Sequence, residues 1–483
     1  MIQNDHWKPD KKSEIPLYEQ IKTYIIKKIE KGQWILGSKL PTQRQLSTQF
    51  EVNRSTIITA TQELIAEGFL EGRTKGGTIV ISKNPSNYMQ NPPPDWISYV
   101  KSGTYQSNFD MVQNIYDYES RDTVIKLGTA ELSPKLVSKD ISSLIFNKLT
   151  NNQTYLGYEH PKGSYQLRAE VSSYLKSIDI YASPEQILIV SGALQALHLV
   201  SIGILYRGST ILTENPSYIY SINTFQSAKI NLYGLPMDTL GIQIDRLVKA
   251  RRQTNAGILY TIPCFQNPTS ICMSSERMKK LLFTCKQERL PIIEDDTFRE
   301  LYFNMESPKT LKSYDKNNLV LFVGSMSKTL LPGLRIGWVV GEEAVIERLA
   351  DIKMQTDYGC SSLSQIAATE LLSSGLYVAH LKNIRKELKL RRDIALKYLN
   401  KYFLDIASWH TPKGGFFIWL RLKHSIHMQK LFNNCLKKGL LINTGNIYMD
   451  KSNRHIRISY SYASYDQLEY GLKVLSQTIR QTY

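Results

Sequence analysis

Three consecutive prolines, Pro92-Pro93-Pro94 within Asn91-Pro92-Pro93-Pro94-Asp95, constrain this chain more than any other feature. Each proline fixes φ and removes a backbone N–H. Neither a helix nor the interior of a sheet runs through such a run, and the favoured geometry is an extended polyproline spacer. The surrounding stretch, residues 82–122, is rich in Pro and Asn and predicts a linker. Its later part, Trp96 to Tyr118, carries scattered aromatics suited to docking on a larger body. The chain therefore divides into a small part, residues 14–81, and a large part, residues 123–483, which is long enough for a full core.

In the large part, strand-like Ile187-Leu188-Ile189-Val190 runs directly into Ser191-Gly192-Ala193-Leu194. Small residues there let the first N–H groups of a starting helix face an anion. Pro291-Ile292-Ile293-Glu294-Asp295-Asp296 reads as a short buried strand ending in carboxylates, the usual place for a ligand in an open α/β sheet. Gln266-Asn267-Pro268-Thr269 follows the apolar stretch from Gly257 to Pro263, and the Asn267 amide can bond a ligand oxygen. In Ser325-Met326-Ser327-Lys328-Thr329-Leu330-Leu331-Pro332-Gly333-Leu334-Arg335 one lysine stands among phosphate-binding residue types. Arg335 offers a fork of donors and Ser325 a small hydroxyl. An amine beside an anchored phosphate is positioned to attack an aldehyde cofactor. Singly, each feature has another reading: Asn-Pro is commonly a turn, Asp295 can cap a helix, Tyr218 can be a half-buried aromatic, and Arg457 can pair with a surface carboxylate.

The order and spacing of these segments resemble the class I (fold type I) aminotransferases over roughly residues 123–483. The resemblance implies an α/β body with a mainly parallel sheet, binding pyridoxal 5′-phosphate. It makes Gly192, Ala193 and Leu194 the phosphate loop and stacks Tyr218 of Asn215-Pro216-Ser217-Tyr218 on the pyridine face. Asn267 bonds the ring's 3′-oxygen, Asp295 pairs with the ring nitrogen, and Lys328 holds the aldehyde carbon with Ser325 and Arg335 on the phosphate. Arg457, in His455-Ile456-Arg457-Ile458-Ser459, grips a substrate carboxylate, and Tyr158 reaches a phosphate in a neighbouring subunit. Two departures stand out. Many members carry a tyrosine two or three residues after the aspartate, where this chain has Thr297 and Phe298, and Leu194 replaces a common polar residue. Binding depends on backbone donors and survives the second change, whereas catalytic tuning depends on the first.

The first eighty residues follow a different logic. Leu17, Ile21, Ile25 and Ile29 recur every fourth residue between Pro16 and Gly32, predicting an amphipathic helix over 16–31. Thr42 and Gln45 form a T-x-x-Q capping box for a second helix. A turn at Glu51-Val52-Asn53 leads into a third, capped by Asn53, with Ile57, Ala60, Leu64 and Ile65 facing inward. Two strands, 69–73 and 77–81, follow with a tight turn at Lys75-Gly76-Gly77. This order is a winged helix-turn-helix, and Gly37 through Gly68 resembles the GntR family of DNA-binding domains. The resemblance assigns base and phosphate contacts to Asn53, Arg54, Ser55 and Thr56 at the recognition helix, Arg44 on the second helix, and Lys75 and Gly76 in the wing. Arg54 is the reader suited to guanine. A small helical module that binds protein is the alternative.

Charge agrees without deciding. The chain carries 60 basic and 43 acidic residues, a net +17, which favours approach to a polyanion. Residues 1–81 hold twelve Lys or Arg against nine Asp or Glu, so most of the excess lies elsewhere. Five cysteines at 264, 272, 285, 360 and 435 form no C-x-x-C pair, and no metal site is expected. With no leader and no apolar run of ~18 residues, the expected place is a reduced cytoplasm, away from membranes.

Together the two resemblances identify a member of the MocR/GabR-type regulators, a GntR-like reader fused to an aminotransferase-like body. They imply a homodimer that binds a double-stranded DNA operator and answers to an amino compound or amino acid effector. Whether the body also turns over as a transaminase is left open. An active aminotransferase with an accessory DNA-binding segment is the rival reading, and a degenerate body kept only for dimerisation a third. Retention of Lys328, Asp295, Asn267 and Arg335 speaks against the last.

Overall fold

Ile21, Ile25 and Ile29 form the buried stripe of α1 (Leu17–Glu30), as their spacing requires. The computed structural model describes residues 7–30, 33–73, 77–81, 110–138, 141, 143, 157–303, 306–450 and 452–483. In α2 (Gln43–Phe50) the expected capping box is present: the Thr42 hydroxyl accepts from Gln45 N at 3.3 Å, and the Gln45 side chain accepts from Thr42 N at 2.9 Å. Glu51 ends that helix in the left-handed region. It leads into α3 (Arg54–Ala66), whose Ile57, Ala60 and Leu64 are fully buried. Two expectations differ here. Asn53 holds the N-cap position, but its side chain makes no capping bond. Ile65 is 40% exposed, because Leu64 already fills the core face and the next residue is turned about 100° away.

A two-stranded wing closes this unit. β1 (Leu70–Arg73) pairs antiparallel with β2 (Gly77–Val80), opposing Leu70 to Val80, both in the same small core. Lys75 and Gly76, expected at its turn, lie outside the described residues. The chain separates into two compact units, Met1–Thr104 and Tyr105–Tyr483.

The second unit includes part of the stretch read as linker. α4 (Asp110–Glu119) buries Met111, Val112 and Ile115, so the body starts ahead of residue 123. β3 (Ile125–Lys126) follows. The main sheet is built from β4 (Ile187–Val190), β5 (Thr210–Asn215), β6 (Asn231–Asp238), β7 (Gly241–Ile242), β8 (Ile258–Thr261), β9 (Ile292–Asp295), β10 (Val320–Ser325) and β11 (Gly337–Val340). Their order is β4-β11-β10-β9-β8-β5-β6-β7. The pairs from β10 through β6 are parallel, while β11 runs antiparallel to both its neighbours and β7 antiparallel to β6. Leu188 and Val190 join one apolar cluster and Ile187 and Ile189 another. The sheet is therefore covered on both faces, which is why its strands read as continuous apolar runs.

A second, antiparallel sheet has the order β12-β13-β16-β15, from β12 (Ala407–Trp409), β13 (Phe417–Leu422), β15 (Asn443–Thr444) and β16 (His455–Ser459), while β14 (Leu440–Leu441) pairs with β3. β16 carries Arg457 opposite Trp419 and Asn443.

Replacing Thr42 by Ala removes one half of the capping box. We expect a loss of about 1 kcal/mol in the stability of the N-terminal unit, read by thermal or urea unfolding. An unchanged midpoint would show that α2 is held by its buried face alone.

Candidate functional site

Parallel strands that end together place their terminal side chains at one edge, and here those ends open into a cavity of about 270 Å³. Ala193, Leu194, Tyr218, Asn267, Asp295, Ser325, Lys328, Arg335 and Arg457, nine of the residues singled out from the sequence, line it. Gly192 lies directly behind the wall, as the N-cap of α5 (Ala193–Gly203) with φ +82°. A Cβ on Gly192 would stand 2.7 Å from Arg335 Nη2. The glycine thus admits both the left-handed turn and the guanidinium. Arg335 Nη2 donates to Ser191 O at 2.7 Å, and its Nη1 lies 3.5 Å from the Ser327 hydroxyl. Ser325 accepts from Ser327 N at 3.1 Å and donates to Ile336 O at 3.2 Å. The first N–H groups of α5 have no acceptor within the helix. With Arg335 and the two serines, they form a donor set that suits a phosphate dianion.

Lys328 stands in the turn after β10, and its Nζ donates to Ala130 O at 2.7 Å. Burial pushes its pKa down, helped by Arg457 and Arg335 and opposed by Glu131 and Glu119. The neutral, nucleophilic amine is therefore available at lower pH than on a surface lysine. Asp295 ends β9, almost fully buried. Burial pushes its carboxyl above the ordinary carboxylate range, while hydrogen bonds from Thr297 and Tyr260 and the Lys328 charge pull it back.

Two Asn-Pro turns shape the opposite wall. Tyr218 N donates to Asn267 O at 3.0 Å, joining the turns. Gln266 Nε2 donates to Pro216 O at 2.7 Å and to Glu214 at 3.3 Å. Glu214 also accepts from Ile262 N at 3.0 Å, and burial pushes its pKa up to about 7. Arg457 is 3% exposed and donates to Asn267 Oδ1 at 2.8 Å and to Gly128 O at 2.5 Å, leaving Nε without a partner. Its guanidinium lies 4.1 Å from the Phe417 ring centre and 4.9 Å from that of Tyr448. A buried cation held mainly by neutral oxygens and ring faces suits an incoming carboxylate.

Tyr158 is not among the lining residues. It is 84% exposed, with its ring 5.4 Å from that of Tyr358. Conversely, α4 supplies Val112, Ile115, Tyr116 and Glu119 to the lining, joined by Glu131, Ser327 and Tyr448. None of these was singled out as a site residue from the sequence. Ser327 sat within the quoted lysine motif, but α4 was hidden by the proline-rich context ahead of it. Phe298, at the position where a tyrosine is common, packs edge-on against Phe416 and Phe417 at 5.5 Å each.

In the N-terminal unit, Arg44 and Arg54 line one groove with Lys39, Gln43 and the start of β2 at Gly77 and Thr78. Arg54 Nη2 is 3.5 Å from Gln43 Oε1, a loose contact that leaves most of its donor fork available. Asn53 and Ser55 are exposed and Thr56 half-buried at the same helix start.

Residues 108–475 match the model of aminotransferase class I and II, and residues 17–80 that of bacterial regulatory proteins, gntR family. The chain is 48% identical over 475 residues to the HTH-type transcriptional regulator YisV of Bacillus subtilis, covering 98% of each. The chain belongs to the MocR-type fusions. NorG of Staphylococcus aureus, another HTH-type transcriptional regulator, is 35% identical over 440 residues, covering 90% of this chain and 98% of NorG. The aminotransferase half of this MocR-type chain also resembles solved enzymes. Kynurenine aminotransferase of Pyrococcus horikoshii, solved with PMP, shares 28% identity at a TM-score of 0.73, covering 78% of this chain and 95% of that one. LysN of Thermus thermophilus, solved with a phosphopyridoxyl-leucine adduct, shares 25% at the same TM-score, covering 80% and 99%.

Gly192→Ala places a methyl group against Arg335 in a left-handed backbone and should cost roughly 1–3 kcal/mol, with weakened binding of pyridoxal phosphate. Gly333→Ala, where a Cβ meets nothing within 4 Å, serves as the neutral comparison. Unfolding and cofactor absorbance measured on both variants check the contrast, and equal behaviour would remove the close approach from the argument.

Proposed function

We propose that this chain is a DNA-binding transcriptional regulator that carries pyridoxal 5′-phosphate in its aminotransferase-like body and answers to an amino compound. The observation that carries the reading is the convergence of Lys328, Asp295, Asn267, Arg335 and Arg457 on one cavity. Gly192, Ala193, Leu194, Ser325, Ser327 and Arg335 would hold the phosphate, Tyr218 the ring face, Asn267 the ring oxygen and Asp295 the ring nitrogen. Bound there, the cofactor supplies an aldehyde for exchange between amines and a ring that serves as an electron sink.

The protein's own part is placement and charge. The depressed pKa of Lys328 keeps its amine ready for a carbonyl, and Arg457 offers a buried cation to a carboxylate. An incoming carboxylate at Arg457 competes with Asn267 Oδ1, so effector binding alters contacts of a residue assigned to the cofactor. Such a change shifts DNA binding only if the two ligands have different affinities for two arrangements of the protein. We further infer a homodimer, whose two readers would span paired half-sites, and a cytoplasmic location. Among the described residues no helix is long and apolar enough to cross a membrane.

A working aminotransferase is the second reading, favoured by the complete lysine, aspartate and arginine set. Against it stands Phe298, which leaves no phenol just after Asp295. Rapid multiple turnover with a common amino acid and 2-oxo acid pair would decide for the enzyme. Slow or single turnover is the expected result.

Borohydride reduction of the cofactor-loaded protein followed by peptide mapping should place the adduct on Lys328. An adduct on another lysine, or none, removes the cofactor assignment. Titration with amines and amino acids should then change visible absorbance and DNA binding together. Arg54→Ala should cost about 1–3 kcal/mol on the operator and relax preference at one base pair, measured against random DNA at matched salt. Equal loss on all sequences would move base reading to another residue of the same groove, with Arg44 first in line.

A further inference from the structure

This chain lacks the phenol just after Asp295, but a phenol on a different strand bonds the Asp295 carboxylate itself. Tyr260 lies on β8, paired with Ile293 of β9, and Asp295 is two residues farther along β9 on the same face. From there the Tyr260 hydroxyl donates to Asp295 Oδ2 at 2.8 Å. The other carboxylate oxygen accepts from Thr297 N at 3.2 Å and from the Thr297 hydroxyl. Tyr260 is 0% exposed and Asp295 3% exposed, so their contact is shielded from bulk solvent.

We propose that Tyr260 is a positioning residue for the cofactor, acting through Asp295: its hydroxyl fixes the carboxylate so that the aspartate presents a charged, correctly turned acceptor to the ring nitrogen.

Two lines of physical reasoning support this. An isolated carboxylate loses several kcal/mol on complete burial unless its oxygens are occupied. Among the described residues, none of the hydrogen-bond partners of Asp295 is charged. Neutral donors on both oxygens favour the ionised form without cancelling its charge, which leaves the carboxylate free to pair with a cation entering the cavity that it lines. Tyr260 is also fit to remain a donor. Burial and the Asp295 charge push its pKa far above that of a free phenol, so it keeps its proton throughout the working range. Thr297 alone would clamp one oxygen and leave the other to rotate or take up a proton.

A structural role for the same side chain is the alternative, since the Tyr260 ring belongs to the apolar cluster that holds Leu188, Ile293 and Val323. Tyr260→Phe separates the two because it keeps the ring and removes only the hydroxyl. The inference rests on the pyridoxal phosphate reading, and the test is built to tell the two apart. Wild type, Tyr260→Phe, Asp295→Asn and the double variant, all as full-length protein, are titrated with pyridoxal phosphate and with a deaza analogue that has carbon in place of the ring nitrogen. Binding is read by visible absorbance and fluorescence.

For Tyr260→Phe we expect affinity for pyridoxal phosphate to fall about tenfold, the scale of one hydrogen bond to a charged group. Affinity for the analogue should be unchanged, and Tyr260→Phe should add little once Asp295→Asn is present. Equal losses for both cofactor forms overturn the proposal, as does no loss for either. A Tyr260→Phe protein that no longer folds overturns it too, because the hydroxyl then serves the core. Wild type that binds pyridoxal phosphate with an indifferent variant sinks this inference alone, whereas wild type that binds neither form sinks the cofactor reading with it.

Discussion

The cavity depends on the close approach of two backbones near the edge of the main sheet. Gly337 opens β11 opposite Ser325 on one side and Val190 on the other. A Cβ on Gly337 would lie 3.1 Å from the Gly192 Cα and 2.8 Å from Gly324 O. Without side chains at these points, the turn before α5 and the loop that holds Lys328 settle against one another, and Arg335 reaches across to Ser191 O. Donors from two distant stretches then face one volume. The cavity follows from backbone proximity before any side chain selects a ligand.

Buried carboxylates extend the same order into the surrounding loops. Glu214, at the end of β5, ties Ile262 and Gln266 and so holds the Asn267 turn. Glu294 accepts from Leu311 N at 2.7 Å and Lys312 N at 2.8 Å, anchoring a loop to β9 directly beside Asp295. Burial pushes Glu294 up to about 8, as it pushes Glu214 to about 7. Since both values lie above those of an unfolded chain, the folded state binds protons more tightly, and the contribution of these groups to stability falls as pH rises through that range. They act as hydrogen-bonding struts whose burial is tolerated because backbone N–H groups face them. Asp295 differs in lining the cavity, where part of its acceptor capacity remains for a ligand.

The N-terminal unit is simpler because its information is local. α1, α2 and the wing are each specified by spacing over fewer than twenty residues, and the capping box is legible from Thr42 and Gln45 alone. The errors there are local as well. Ile65 follows Leu64 in an apolar pair, and periodicity does not tell which of two adjacent apolar residues faces inward until the opposing strand is in place. Lys39 attracted no role in sequence, yet it lines the groove with Arg44 and Arg54.

Residue types and their order determined much of this protein. Lys328, Asp295, Asn267 and Arg335 are recognisable because each stands at the end of an apolar run or in a turn, where a strand delivers polar groups to a sheet edge, whereas Arg457, in the middle of β16, stood out only through the family resemblance. What only the tertiary structure decided are contacts between strands and helices far apart in sequence. Tyr260 sits in an apolar strand 35 residues before Asp295, and nothing in its neighbours marks it as a donor to that carboxylate. α4 was hidden by the prolines ahead of it, and its placement of Glu119 and Tyr116 over the cavity depends on burying Met111, Val112 and Ile115 against the body. Tyr158, assigned by family position to a phosphate in a neighbouring subunit, lies exposed beside Tyr358 within its own chain. Sequence specifies which side chains stand at the ends of elements; which of them meet is set by the register of strands and the packing of both sheet faces, which no single segment encodes.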